Sequence, residues 1–172
     1  AEDQLRARRE DIQADLEDLR TRIEQLEQDA IEAFNEHMNQ VLSVLAYENI
    51  DRIWIERTLP PSSTGRTNDA TTFELHVVRS TTSGTTYEDT VDHLSESERE
   101  VTGVVFALAG YLVHEVYESV PFMILDSLEA VDSDRLAELV EYLAGYPEYL
   151  VVALLPEDAE QMNSRYDRIE QI

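Results

Sequence analysis

The sequence predicts an α/β domain carried on the end of a long amphipathic helix. Three observations lead there. The first 46 residues contain neither Gly nor Pro and repeat apolar residues in steps of three and four. Residues 50–59 and 73–79 carry β-branched and aromatic residues in the alternation of strands. Beyond residue 95, helix-like stretches alternate with short apolar runs, the pattern of an α/β sheet with a mixed edge.

In the N-terminal helix, Leu5, Ile12, Leu16, Leu19, Ile23, Leu26 and Ala30 keep a heptad seam once Arg9 is counted at its place, with acids and arginines filling the other faces. Several heptads of apolar seam facing water would be unfavourable, so residues 1–46 are expected to form a coiled-coil arm rather than a lone solvated helix. From Phe34 through Met38, Val41, Leu42 and Leu45 the stripe broadens, as in a helix leaving its coiled-coil partner to dock on a globular body at 47–172. Strands are expected at 50–59 and 73–79, with a loop at Pro60–Gly65 and a turn at Ser83-Gly84. Residues 87–93 read as extended or irregular and 96–118 as a helix. A buried strand at 121–125, an amphipathic helix at 134–144, a buried strand at 149–155 stopped by Pro156, and a terminal helix at 157–169 complete the body.

The composition narrows the function. Thirty-seven acids face 13 bases for a net charge of -24; every base is arginine, and lysine and cysteine are absent. Such a surface suits a protein kept soluble at very high salt, where self-repulsion is screened. An apolar content of 42% argues against disorder. Without cysteine there are neither disulfides nor thiolate metal sites. Without lysine there is no P-loop, because that loop's lysine bridges the β- and γ-phosphates. No basic patch marks a nucleic-acid footprint. No apolar run reaches the roughly 20 residues of a membrane span, and no signal peptide stands at the start. The chain is expected to be cytoplasmic, and its opening inside a heptad without methionine suggests a piece of a longer protein.

Residues 94–132 carry the chemistry. Leu94-Ser95-Glu96-Ser97-Glu98-Arg99 opens a helix with a serine-bearing turn, which offers backbone N–H groups and a hydroxyl to an anion. The apolar Phe122-Met123-Ile124-Leu125 ends in Asp126, and a short loop reaches Asp132. A carboxylate at the C-terminal tip of a parallel strand is where α/β nucleotide-binding folds hold Mg²⁺. The bland alternatives are a capping box of Ser95 with Glu98 and a strand-end turn at Asp126.

In this order the pieces resemble the signature motif, Walker B aspartate and D-loop of an ABC-type ATPase. The whole layout resembles the C-terminal half of an SMC-family head, including the SMC-related proteins of halophilic archaea. The resemblance implies the C-terminal lobe of an ABC/SMC-type P-loop ATPase head with an N-terminal coiled-coil segment. It implies that Ser95, with Ser97 beside it, contacts the γ-phosphate of ATP held by a partner head. Asp126 would orient Mg²⁺ through its water shell, and Asp132 would be the D-loop acid near the dimer interface. The implied partners are the N-terminal lobe of the same head, a second head in a homodimer, and DNA through the assembled complex. The implied role is ATP-dependent head dimerisation in chromosome organisation or DNA repair.

Three departures from the family pattern bear on catalysis. Glu96 and Ser97 stand where the signature has two glycines, which permit close backbone approach to phosphate. Ser127 stands where a glutamate polarises the attacking water, leaving Glu129 two residues on as the nearest substitute. Val151-Val152-Ala153-Leu154-Leu155-Pro156 lacks the family's histidine after the last core strand. Slow hydrolysis, or closure without turnover, is the expectation. The rival from another class is a non-catalytic coiled-coil adaptor that keeps the lobe as a protein-binding surface. Among lesser candidates, His114, Glu115 and Glu118 have the spacing of a divalent-metal site but read better as a solvated helix end. His37 and His76 read as core or boundary histidines, and Trp54 with Tyr47 as core rather than a stacking platform.

Overall fold

The computed structural model describes residues 2–58, 72–81, 83–126 and 128–169. Helix α1 runs from Glu2 to Leu45, 44 residues, or about 66 Å at the usual rise. Its seam residues Leu5, Ile12, Leu16, Leu19, Ile23 and Leu26 are 49–69% exposed. Ile31 is buried, and Met38, Val41, Leu42 and Leu45 enter the core. The broadened stripe therefore marks docking, as expected from its period.

Strands β1 (Ile50–Thr58), β2 (Thr72–Ser80) and β3 (Thr86–Asp89) form an antiparallel sheet in the order β1-β2-β3. A register irregularity between Ile50 and Arg52 resets the alternation, so Ile50 and Ile53 are both buried although three residues apart. The free edge of β1 is covered by α1. There the Asn35 amide donates to the Ile55 carbonyl at 3.0 Å while its Oδ1 accepts the Ile55 N–H at 2.7 Å. That clamp, with the Glu27–Arg57 pair at 2.8 Å, fixes the arm along the sheet and closes an edge otherwise open to pairing. A single 3₁₀ turn, Val91–His93, leads to helix α2, Glu96–Val113.

The second half is a β–α–β unit: β4 (Phe122–Leu125), α4 (Ser133–Leu143) and β5 (Tyr149–Val152), with β4 and β5 parallel. One core joins all of it. Met38, Val41 and Leu45 of α1, Val101, Val105 and Leu112 of α2, Leu136, Leu139 and Leu143 of α4, and Ile53 and Val77 of the first sheet pack together. Each such side chain, fully buried, contributes about 1.5–3 kcal/mol.

Four expectations are corrected. The strands form two separate sheets, not one sheet with a mixed edge. The helix expected over 96–118 breaks at His114–Glu115, where Glu115 is left-handed (φ 45°), before the one-turn helix α3, Val116–Ser119. The terminal helix expected over 157–169 is one turn, α5, Pro156–Ala159; Pro156 supplies the start, and turns follow. The runs expected as buried strands at 121–125 and 149–155 are covered on one face only, and the second ends at Val152, short of Pro156: Met123 and Leu125 are buried, Phe122 and Ile124 exposed.

Candidate functional site: the turns before α2 and α4

Ser95 is the N-cap of α2, in extended conformation (φ -62°, ψ 168°). Its hydroxyl accepts the Glu98 N–H at 3.4 Å, and the Glu98 carboxylate accepts the Ser95 N–H at 2.8 Å. This is the capping box that the Ser-x-x-Glu spacing predicts. It leaves the first amides of an 18-residue helix without intrahelical partners, so the cap does not itself block an anion from approaching this helix end. Ser95, Glu96 and Ser97 are all exposed.

Glu98, only 2% exposed, ties this turn to the sheet. Its other oxygen accepts from Arg79 of β2 at 2.8 Å, and Arg79 also donates to Asp89 of β3 at 3.1 Å. Asp89 in turn holds His93 at 2.8 Å and accepts the Thr90 N–H at 2.9 Å. Burial alone would push the Glu98 carboxyl up, but the Ser95 hydrogen bonds and Arg79 outweigh it and hold it below the usual range. Asp89 is held low by His93 first and by Arg79, against burial. Arg79 is held high by Asp89 and Glu98. Sequence reasoning missed Arg79 and the depth of Glu98. One signal was present, since Arg79 falls on the same face of β2 as Phe73, Leu75 and Val77, an arginine where an apolar residue is due.

The second set of residues lies at the carboxyl edge of the parallel pair. Asp126 follows the last residue of β4 and is exposed. Glu129 is exposed in the turn closed by the Val131 N–H to the Leu128 carbonyl at 3.0 Å. Asp132 is the N-cap of α4; its carboxylate accepts the Arg135 N–H at 3.1 Å and pairs with the Arg135 guanidinium at 3.1 Å. Ser127 lies outside the described residues. The turn after α1 touches residues in the first turns of both α2 and α4. Tyr47 donates to the Ser97 hydroxyl at 3.3 Å, and Glu48 pairs with Arg135 at 3.5 Å. Adjacent residues thus touch the starts of both α2 and α4, which places the serine turn and the Asp132 loop at one end of the lobe.

Other candidates fall away or move. Among the described residues no group of three His, Asp or Glu side chains gathers as a metal site, His114 with Glu115 and Glu118 included. Tyr47 packs against the core as expected, whereas Trp54 does not belong to it. Trp54 stacks on His76 with ring centres 4.8 Å apart, and Arg52 lies 5.0 Å from its ring. His76 sits between Glu56 and Glu88. This outer strip of the sheet mixes both charges. Among the described residues no helix is long and apolar enough to cross a membrane.

A nucleotide-binding fold of this kind implies ATP and Mg²⁺ as ligands. An exposed serine turn on a helix start and an exposed carboxylate at a strand tip suit a γ-phosphate and a hydrated Mg²⁺. The lysine-bearing cradle for the phosphates has no counterpart in this chain. The residues fit as one half of such a site.

No protein-family model matches the chain. It is 57% identical over 151 residues to the Smc-like protein Sph3 of Haloferax volcanii, a match covering 87% of this chain and 23% of that protein. It is 62% identical over 148 residues to the Smc-like protein Sph2 of Halobacterium salinarum, covering 83% and 22%. The chain thus spans less than a quarter of the length of these curated relatives. Among solved structures it is similar to an Smc head bound to the C-terminal winged-helix domain of ScpA (TM-score 0.53, 15% identity, 77% of this chain and 37% of that one). It is also similar to a chain from work on ATP-driven dimerisation and DNA-stimulated activation of SMC ATPases (0.51, 14%, 79% and 75%). The Smc head with coiled coil and joint from Pyrococcus yayanosii matches at 0.51 and 16%, over 93% of this chain and 30% of that one. At such identities the structures speak for the fold, and the halophile relatives speak for the sequence. Together they identify the chain as the C-terminal half of an SMC-like head with its coiled-coil segment, of the kind found in the Smc-like proteins of halophilic archaea.

Proposed function

We propose that this lobe acts in trans in an ATP-gated head. Ser95, with Ser97 beside it, presents its hydroxyl and the helix-start amides to the γ-phosphate of a nucleotide held by a second head. Asp126 holds the water shell of the nucleotide's metal, and Asp132 lies beside the interface. Bound Mg²⁺ would neutralise charge developing on the β- and γ-phosphoryl oxygens. The chain's own residues bind and orient. The Arg79–Glu98 pair fixes the serine turn, the α2 start supplies partial positive charge, and the exposed Glu96 carboxylate opposes it, which favours loose closure. With Ser127 after Asp126, water activation falls to Glu129 or is absent, so turnover is slow. Closure would pass along α1 to the arm and serve chromosome organisation or DNA repair in the assembled, cytoplasmic protein.

The observation that carries this reading is the convergence of the α2 and α4 starts on the Tyr47–Glu48 turn, in the order serine turn, strand-tip aspartate, loop aspartate. Two exposed apolar faces support the partners. Phe122, Ile124, Tyr149 and Val151 share one side of the β4–β5 pair and are 47–63% exposed; an N-terminal P-loop lobe of the same head suits that side. The open seam of α1 suits a returning coiled-coil strand.

The chain alone should have no appreciable ATP affinity. Joined to a P-loop lobe it should bind ATP, and Asp126→Ala should weaken that binding when Mg²⁺ is present. Calorimetry decides it, and tight ATP binding by this chain alone would exclude the trans arrangement.

A further inference from the structure

Tyr47 occupies the turn that ends α1, just after Ala46 in the left-handed region (φ 44°). The turn is fastened from β2: the Ser80 hydroxyl donates to the Glu48 carbonyl at 2.9 Å and the Ser80 N–H to the Asn49 carbonyl at 3.2 Å. The half-buried Tyr47 ring packs against the core. From this fixed base its O–H donates to Ser97 Oγ at 3.3 Å, and Ser97 Oγ lies 3.4 Å from Ser95 Oγ.

Each hydroxyl has one proton to give and two lone pairs to accept with, and either serine can donate across the Ser95–Ser97 contact. Because Tyr47 donates to Ser97, one Ser97 lone pair is filled and its proton is turned away from the tyrosine, where Ser95 lies at 3.4 Å. When Ser97 donates to Ser95, which also accepts the Glu98 N–H, the Ser95 proton is left for an acceptor outside the turn. Removing the tyrosine hydroxyl frees that lone pair and favours the reverse direction, with Ser95 donating to Ser97. A glycine in place of Ser97 would have no such row.

We propose that Tyr47 is a positioning residue for nucleotide contact: through Ser97 it orients the Ser95 hydroxyl as a donor to the phosphate across the head–head interface. This rests on the trans role of Ser95 proposed above.

The test uses the full-length protein that carries this segment, with ATP and Mg²⁺, reading head dimerisation by light scattering and ATP binding by monomers separately. Tyr47→Phe keeps the ring and removes one hydrogen bond, which should lower contact strength about two- to tenfold per site. In a two-fold dimer the change counts twice, so dimerisation should weaken roughly four- to a hundredfold, with monomer ATP binding unchanged. Ser97→Ala, at an exposed position, should do the same, and Tyr47→Phe should add nothing in the Ser97→Ala background. A merely structural tyrosine would not show that dependence. Wild-type dimerisation in Tyr47→Phe or in Ser97→Ala, in a protein whose dimerisation Ser95→Arg abolishes, overturns this proposal and leaves the trans role of Ser95 standing. Additive effects of the two substitutions also overturn it. Dimerisation indifferent to Ser95→Arg as well removes both.

Discussion

Replacing Glu98 by alanine strips two groups of a partner at once, the Ser95 N–H and the Arg79 guanidinium, and so opens half of the α2 capping box. Breaking a buried ion pair from one side costs about 3–5 kcal/mol where the remaining charge is stranded. Here Arg79 keeps Asp89 and its side chain is 23% exposed, so we place that loss nearer ~2 kcal/mol. The lost capping-box bond adds about 1 kcal/mol. The sum, about 3 kcal/mol, corresponds to a fall in melting temperature of roughly 6–12 °C for a chain of this size. Urea unfolding in molar KCl measures it, with Glu96→Gln, at an exposed position two residues away, as the control expected to stay within about 0.5 kcal/mol. The pH dependence follows from the depressed Glu98 carboxyl. Its stabilisation is fully present above the ordinary carboxylate value and is lost as pH falls through the lower folded value. Wild type and Glu98→Ala should therefore differ most at neutral pH and converge in acid. A Glu98→Ala loss below about 1 kcal/mol at neutral pH would refute the view that this network holds the serine turn.

Two further predictions concern charge and catalysis. With 37 acids against 13 arginines, the fold should hold in molar KCl and loosen in dilute buffer; circular dichroism over a salt series measures it, and equal stability at both ends would refute the screening argument. In the assembled head, Ser127→Glu should speed phosphate release, since general-base help is typically worth about 10²–10⁴-fold. Turnover unmoved by that change but lost in Glu129→Gln would assign the base to Glu129.

Local patterns were legible where one physical signal dominates. The heptad steps from Leu5 to Ala30 gave the arm, and the broadening at Phe34–Leu45 gave its docking face. Ser95 and Glu98 gave the cap of α2, and Asp132 before the amphipathic 134–144 stretch lies at the cap of α4. The break at His114–Glu115 was not legible, because Val116, Tyr117 and Val120 continue an apolar pattern across it and the left-handed Glu115 carries no glycine to announce it. The one-sided cover of β4 and β5 was missed because a run such as Phe122–Leu125 reads as buried on both faces, and nothing in a single strand says which neighbours are present. The Arg79–Glu98–Asp89 network joins residues from three elements, and pairing over such separations has no local signature. The order of the serine turn, Asp126 and Asp132 was readable as a resemblance; the contacts of Tyr47 with Ser97 and of Glu48 with Arg135, which tie the starts of α2 and α4 to one turn, needed the fold.

The most direct test of the central claim is ATP-dependent dimerisation of the complete head bearing Ser95→Arg, followed by light scattering with and without ATP. The trans arrangement predicts that dimerisation is abolished while each monomer binds ATP nearly as well as wild type. Dimerisation unaffected by Ser95→Arg would contradict it and favour a coiled-coil adaptor that keeps this lobe only as a protein-binding surface.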